Sequence, residues 1–135
     1  AYLFGLGVEV MANSDNVLRG GLTPKPIDVR ELLKVLDYSE LAEPRIRKKK
    51  ILNGLWQLPV DVSDFTVYEV EASATNMLID LELKGNAILA CVSGELTIST
   101  SKDETLTLKR GEVCFLAEAR LFSVSGSGTG YLTMG

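Results

Sequence analysis

The chain has 135 residues, 46% of them hydrophobic and 24% charged, a net charge of −4 and no histidine. That supplies the core of one ordinary domain, contains no apolar run near the ~20 residues of a membrane helix, and lacks the basic balance of a general nucleic-acid binder. Without histidine or a close cysteine pair, a zinc site built wholly from this chain is not expected either.

The start, Ala1-Tyr2-Leu3-Phe4, has no basic segment leading an apolar core, so no secretory signal is expected. The two cysteines, Cys91 and Cys114, lie in apolar, strand-like stretches, which predicts buried, reduced thiols in a cytoplasmic protein and no disulfide framework.

Along the chain, residues 1–25 hold two apolar, strand-like pieces, 2–11 and 17–22, around the polar turn Asn13-Ser14-Asp15-Asn16. Gly5, Gly7, Gly20 and Gly21 fall in the same stretch, where glycine marks bulges or close approach of a ligand. Residues 26–54 open a helix. Asp28 and Glu31 have the spacing of a capping box, in which each side chain satisfies a backbone donor of the other. Val29, Leu32, Leu33 and Leu36 then form one apolar stripe that predicts docking against a larger body. Over residues 39–53 the periodicity fades into a linker carrying Arg45, Arg47, Lys48, Lys49 and Lys50, read as a solvated connection.

Residues 55–135 read as consecutive strands at 65–70, 77–83, 87–92, 96–100, 105–108, 113–116, 121–124 and 131–134. Ser93-Gly94, Lys102-Asp103 and Arg110-Gly111 supply turn signals between them, the pattern of an antiparallel sandwich or barrel. The expected fold is mainly β: a small jelly roll with one docked helix, preceded by strands.

Glu9, Asp15, Arg19 and Lys25 place two carboxylates and two cations among strands, turns and glycines. Converging at one sheet end they would suit a phosphorylated sugar. Arg offers a fixed fork of donors, Lys a mobile point charge, and a carboxylate can orient hydroxyls or relay protons. On the residues alone, scattered charges on a solvated face are the simpler account. By the same standard Tyr2 is a packed aromatic at a strand start and Lys25 a loop charge.

The wording Val8-Glu9-Val10-Met11-Ala12-Asn13-Ser14-Asp15-Asn16-Val17-Leu18-Arg19-Gly20-Gly21-Leu22-Thr23-Pro24-Lys25 shifts that balance. It closely resembles the signature near the C-terminal end of the catalytic domain in type I phosphomannose isomerases. The following Asp28-Val29-Arg30-Glu31-Leu32-Leu33 is similar to the helix start that comes next in that family, and the strand-rich remainder looks like its C-terminal cupin-like domain. The resemblance implies residues 1–25 as the end of a catalytic cupin domain, 26–54 as helix and linker, and 55–135 as the C-terminal cupin-like jelly roll.

The family interconverts mannose 6-phosphate and fructose 6-phosphate by moving a proton between two sugar carbons, with a bound zinc ion. Carried over by resemblance, Arg19 is the catalytic arginine that stabilises developing negative charge, and Asp15 is a catalytic carboxylate placed to bind hydroxyls or assist proton transfer. Tyr2, Glu9 and Lys25 line the same sugar-phosphate pocket. The family's zinc is held by a glutamine, a glutamate and two histidines, one immediately before the stretch that matches Ala1. All four would lie upstream, so zinc is a cofactor of the parent enzyme and none is expected on this chain alone. Gly111-Glu112-Val113-Cys114-Phe115-Leu116-Ala117-Glu118-Ala119 is similar to the second conserved cupin stretch, but the metal-binding histidine expected after it is absent, which implies a metal-free cupin half.

The implied function is the C-terminal part of this isomerase, inactive without the missing N-terminal region, its principal partner. The alternative is a non-catalytic cupin-like module that binds a sugar phosphate or a protein. No nucleic acid and no membrane is expected as a partner. Strands severed from their sheet neighbours would leave open edges, which predicts that the first segment packs on the cupin half or self-associates.

Overall fold

A computed structural model of the chain describes residues 4–13, 17–82, 85–102, 104–117 and 121–135. Its contacts divide the chain into two units, Ala1–Pro44 and Arg45–Gly135.

In the first unit, helix α1 spans Val29–Val35. Asp28 caps it by accepting the Glu31 N–H at 2.9 Å, one half of the expected capping box. Glu31 does not return the bond. Its carboxylate bridges instead to Lys34 at 2.8 Å, one turn on. The helix stops at Leu36, whose backbone turns extended at ψ 130. The apolar stripe predicted to dock buries no residue of the helix, although Leu32 is half-buried. Gly20 makes room for that side chain, since a Cβ there would sit 2.9 Å from Leu32 Cδ2, and the Asp28 N–H donates to the Arg19 carbonyl at 3.3 Å.

The strands expected at 2–11 and 17–22 are a correction: the described residues of both pieces carry no strand. Apolar, β-prone sequence does not make a strand by itself, because an extended segment has no internal partner for its N–H and C=O groups and holds its shape only beside a neighbour. Of the expected turn at 13–16, only Asn13 is among the described residues.

Among the described residues, the second unit is built from eight strands in one folded-over antiparallel sheet. They are β1 (Lys49–Leu52), β2 (Leu55–Leu58), β3 (Thr66–Ala72), β4 (Leu78–Glu82), β5 (Ala87–Thr100), β6 (Thr105–Lys109), β7 (Val113–Leu116) and β8 (Leu121–Met134). The order is β1-β2-β3-β8-β5-β6, with β4 also paired to β8 and β7 to β5. The two 14-residue strands β5 and β8 run side by side and serve both halves. Near the β7 end, β8 pairs with β3 and β5 with β7; beyond the fold line, β8 pairs with β4 and β5 with β6.

That fold line is where strand limits read from the sequence are corrected. Ser93-Gly94 does not end a strand. Pairing runs on through Ser93↔Thr129 and Gly94↔Gly128, with a bulge between Cys91 and Ser93. Likewise 121–124 and 131–134 are the ends of one strand, joined through Ser125-Gly126-Ser127-Gly128-Thr129-Gly130. Glycine permits the bend: Gly94 and Gly126 have φ of 63 and 113, and a Cβ on Gly128 would lie 2.5 Å from the Ser93 carbonyl oxygen. The linker expected over 39–53 also carries a strand, β1, joined to β2 through Asn53-Gly54 with Gly54 at φ 80. Asn-Gly is the dipeptide preferred in two-residue hairpin turns.

Residues of alternating register from both halves meet in one core. Val70, Leu89, Cys91, Leu96 and Val124 are at most 1% exposed, and each buried aliphatic side chain is worth about 1.5–3 kcal/mol. Both cysteines are free and buried, as the apolar context predicted.

Candidate functional site

The five residues singled out from the sequence all belong to the first unit. Tyr2 and Asp15 lie outside the described residues. Arg19 is half-buried, and its Nη1 donates to the Val17 carbonyl at 3.4 Å. Glu9 and Lys25 are exposed, and the Lys25 N–H donates to Thr23 Oγ1 at 3.2 Å. Among the described residues no hydrogen bond or ion pair joins Glu9, Arg19 and Lys25 to one another. The turn Gly20-Gly21-Leu22 follows Arg19 directly, with Leu22 at φ 55, and the Arg19 carbonyl is fastened to the helix start. Backbone geometry therefore fixes where the arginine leaves the chain.

The donors present do not fit a zinc ion. The sequence has no histidine, the described residues contain no group of three His, Cys, Asp or Glu that could hold a metal, and burial pushes both cysteine thiols above their ordinary range. The Cys91 Sγ–H is further occupied by the carbonyls of Ser93 and Gly94, at 3.5 and 3.6 Å.

In the second unit, residues 45–50 are not a uniformly solvated basic run. Lys48 bonds Glu69 at 2.5 Å, approaches Glu71 at 3.6 Å, and stands 4.7 Å above the Trp56 ring. The hydrogen bond to Glu69 holds the Lys48 ammonium above its ordinary pKa, with the charges of Glu69 and Glu71 adding to it. With side chains 43% and 14% exposed, the pair is partly screened. Lys48→Met is expected to lower stability by about 1 kcal/mol at neutral pH. Because the folded pKa is the higher one, the difference should be full below the unfolded lysine value of about 10.5 and vanish as pH rises through the folded value. Urea unfolding of both proteins at pH 7 and pH 11 checks the size and sign.

Among the described residues, two recesses of this unit stand out. One, of about 300 Å³, continues the core outward between β1 and β4 and is lined mainly by apolar side chains such as Leu55, Leu81 and Met134. The other, of about 360 Å³, lies at the fold line and is lined by Glu71, Ser73, Asn76, Ser93 and Thr129 together with backbone of Gly94 and Gly128. Sequence reasoning passed over both this recess and the Lys48 contacts. The alternation of Ser, Gly and Thr over 125–130 was the available signal, and it reads as a loop until its pairing is known.

An antiparallel sheet folded over a single apolar core, with two long shared strands, defines a cupin-type jelly roll. Residues 56–132 match the family model described as the cupin domain of mannose-6-phosphate isomerase. The chain belongs to the mannose-6-phosphate isomerase family. It is 39% identical over 136 residues to the mannose-6-phosphate isomerase of Salmonella typhimurium, a match covering 98% of this chain and 33% of that protein. With the human mannose-6-phosphate isomerase it shares 38% identity over 125 residues, 86% of this chain and 29% of the relative. The crystal structure of the Salmonella typhimurium enzyme bound to substrate and zinc superposes with a TM-score of 0.72 at 31% identity, over 93% of this chain and 32% of that one. The chain thus spans about a third of the length of the curated relatives it matches.

Proposed function

We propose that the chain is the C-terminal part of an aldose–ketose isomerase that interconverts mannose 6-phosphate and fructose 6-phosphate by zinc-assisted proton transfer, and that it is inactive alone. The similarity to the Salmonella typhimurium enzyme carries this reading, because it covers 98% of the chain and so includes the stretch from Glu9 to Lys25. When bound, zinc would supply a Lewis acid for the sugar oxygens, held by residues of the parent enzyme upstream of Ala1. This chain's own share is Arg19 as the charge facing a developing oxyanion, Asp15 as the hydroxyl-orienting or proton-relaying carboxylate, and Tyr2, Glu9 and Lys25 as walls of the pocket. Residues 1–25 then complete the catalytic cupin domain, in a cytoplasmic, thiol-reduced setting. Phe4, Leu6 and Met11 are 66–100% exposed, which supports a covering partner: the preceding region of the enzyme or, failing that, a second copy.

Assayed with zinc and mannose 6-phosphate, the chain alone should give no turnover above background. Adding the upstream two thirds of the Salmonella typhimurium enzyme should restore it. Turnover by the isolated chain at the rate of a complete enzyme would sink the proposal.

A further inference from the structure

The fold-line recess has features that the isomerase reading leaves unused. Glu71, Thr129 and Ser93 stand in one row across three adjacent strands, by the pairings Glu71↔Thr129 and Ser93↔Thr129. Side chains in such a row lie on one face of the sheet, roughly 5 Å apart, close to the spacing of alternate hydroxyls on a small polyol. Across from the row, Asn76 is held in place: its Nδ2 donates to the Glu71 carbonyl at 2.8 Å, and its Oδ1 accepts from Asn53 at 3.0 Å. Ser73 and Thr75 hydroxyls pair at 3.4 Å beside it. The hydroxyls of Ser93 and Thr129, by contrast, have no side-chain bond to protein among the described residues, and both line the recess.

The floor is backbone. A Cβ on Gly128 would meet the Ser93 carbonyl oxygen and the Glu95 N–H at 2.5 and 2.8 Å, so nothing larger than glycine fits there. In liquid water a volume of 360 Å³ would hold about twelve molecules, room for one sugar ring or six-carbon polyol together with several waters.

Charge narrows the class. Glu71 is the one ionisable side chain among the described lining residues, and the Lys48 ammonium 3.6 Å from it is shared with Glu69, so two carboxylates face one cation. A phosphate or carboxylate would meet the one negative charge that this group leaves over. A neutral polyol meets hydroxyls that both donate and accept, and a carboxylate able to take two donors from a vicinal diol.

We infer that this recess is a binding site for a small neutral polyol. Every residue in it lies within Arg45–Gly135, so it stands or falls independently of the isomerase reading.

The test is a backbone-amide NMR titration of the full 135-residue chain with D-mannose, D-mannitol and mannose 6-phosphate. The two neutral compounds should give saturable shifts at Ser73, Asn76, Ser93 and Thr129. The phosphate should need concentrations about tenfold higher. Thr129→Val, which keeps the shape and deletes the hydroxyl, should weaken mannitol binding about fivefold with the rest of the spectrum unchanged. Ser93→Ala should do the same and serves if the first variant disturbs the strand. No saturable shift at these amides, equal affinity for the phosphate, or undiminished binding by both variants would overturn the inference.

Discussion

Arg19→Ala, made in a complete isomerase carrying this C-terminal region, is expected to lower kcat by roughly 10²–10³, with a smaller change in KM. A cation facing oxygens that become negative only on the way to the enediol-like species stabilises the transition state more than the bound sugar, so its removal is felt in kcat and in kcat/KM together. Folding should be untouched. Arg19 is only half-buried and its guanidinium contributes one long bond, to the Val17 carbonyl at 3.4 Å; the tie to the helix start runs through its backbone, which alanine keeps. Arg19→Lys should recover part of the loss, because the charge returns without the planar fork of donors. Steady-state kinetics with mannose 6-phosphate, alongside thermal unfolding of each variant, separates the two effects. Wild-type turnover in Arg19→Ala would remove the residue from its assigned role.

The second large effect concerns the bend in the sheet. Gly94→Ala should destabilise the second unit by about 3 kcal/mol, from two additive causes. Alanine at φ 63 gives up conformational energy of about 1 kcal/mol, and the new Cβ is driven into the Ser127 carbonyl oxygen of the facing strand, an overpacking cost of about 1–3 kcal/mol. Gly111 provides the control. Its φ of 89 is equally left-handed, but a Cβ there meets nothing within 4 Å, so Gly111→Ala should lose only the conformational part. Urea unfolding of both variants gives the comparison; equal losses would show that crowding at the fold line contributes nothing.

Much of the fold was legible in the residues. Val113–Leu116 begins and ends where the sequence placed it, and β3, β4 and β6 lie within a few residues of their predicted limits, because alternation and local turn chemistry set those boundaries. The helix was legible for the same reason: Asp28 and the leucines act over one or two turns. What escaped depends on partners distant in sequence. Ser93-Gly94 and 125–130 look like turns one at a time, and become strand only because each lies against the other. Lys48 looked like one more solvated cation until β1 set it over Trp56 beside Glu69. In the first unit the reverse holds. The signature at Glu9–Lys25 identifies a family more sharply than any strand pattern, but its apolar pieces form no strands among the described residues, since identity is carried by wording and strand structure by neighbours.

The shared ribbon of β5 and β8 also governs the order in which this domain can come into being. On a ribosome, β3, β4 and β5 are all complete before β8, yet each takes β8 as a neighbour. Only the β1–β2–β3 meander and the β5–β6–β7 group can pair in its absence. The two groups meet through the last-made strand, so the nascent domain holds two half-sheets with exposed edges until β8 arrives. Closure is then a single late event of long sequence separation, the kind of step that is slow and most in need of protection from aggregation.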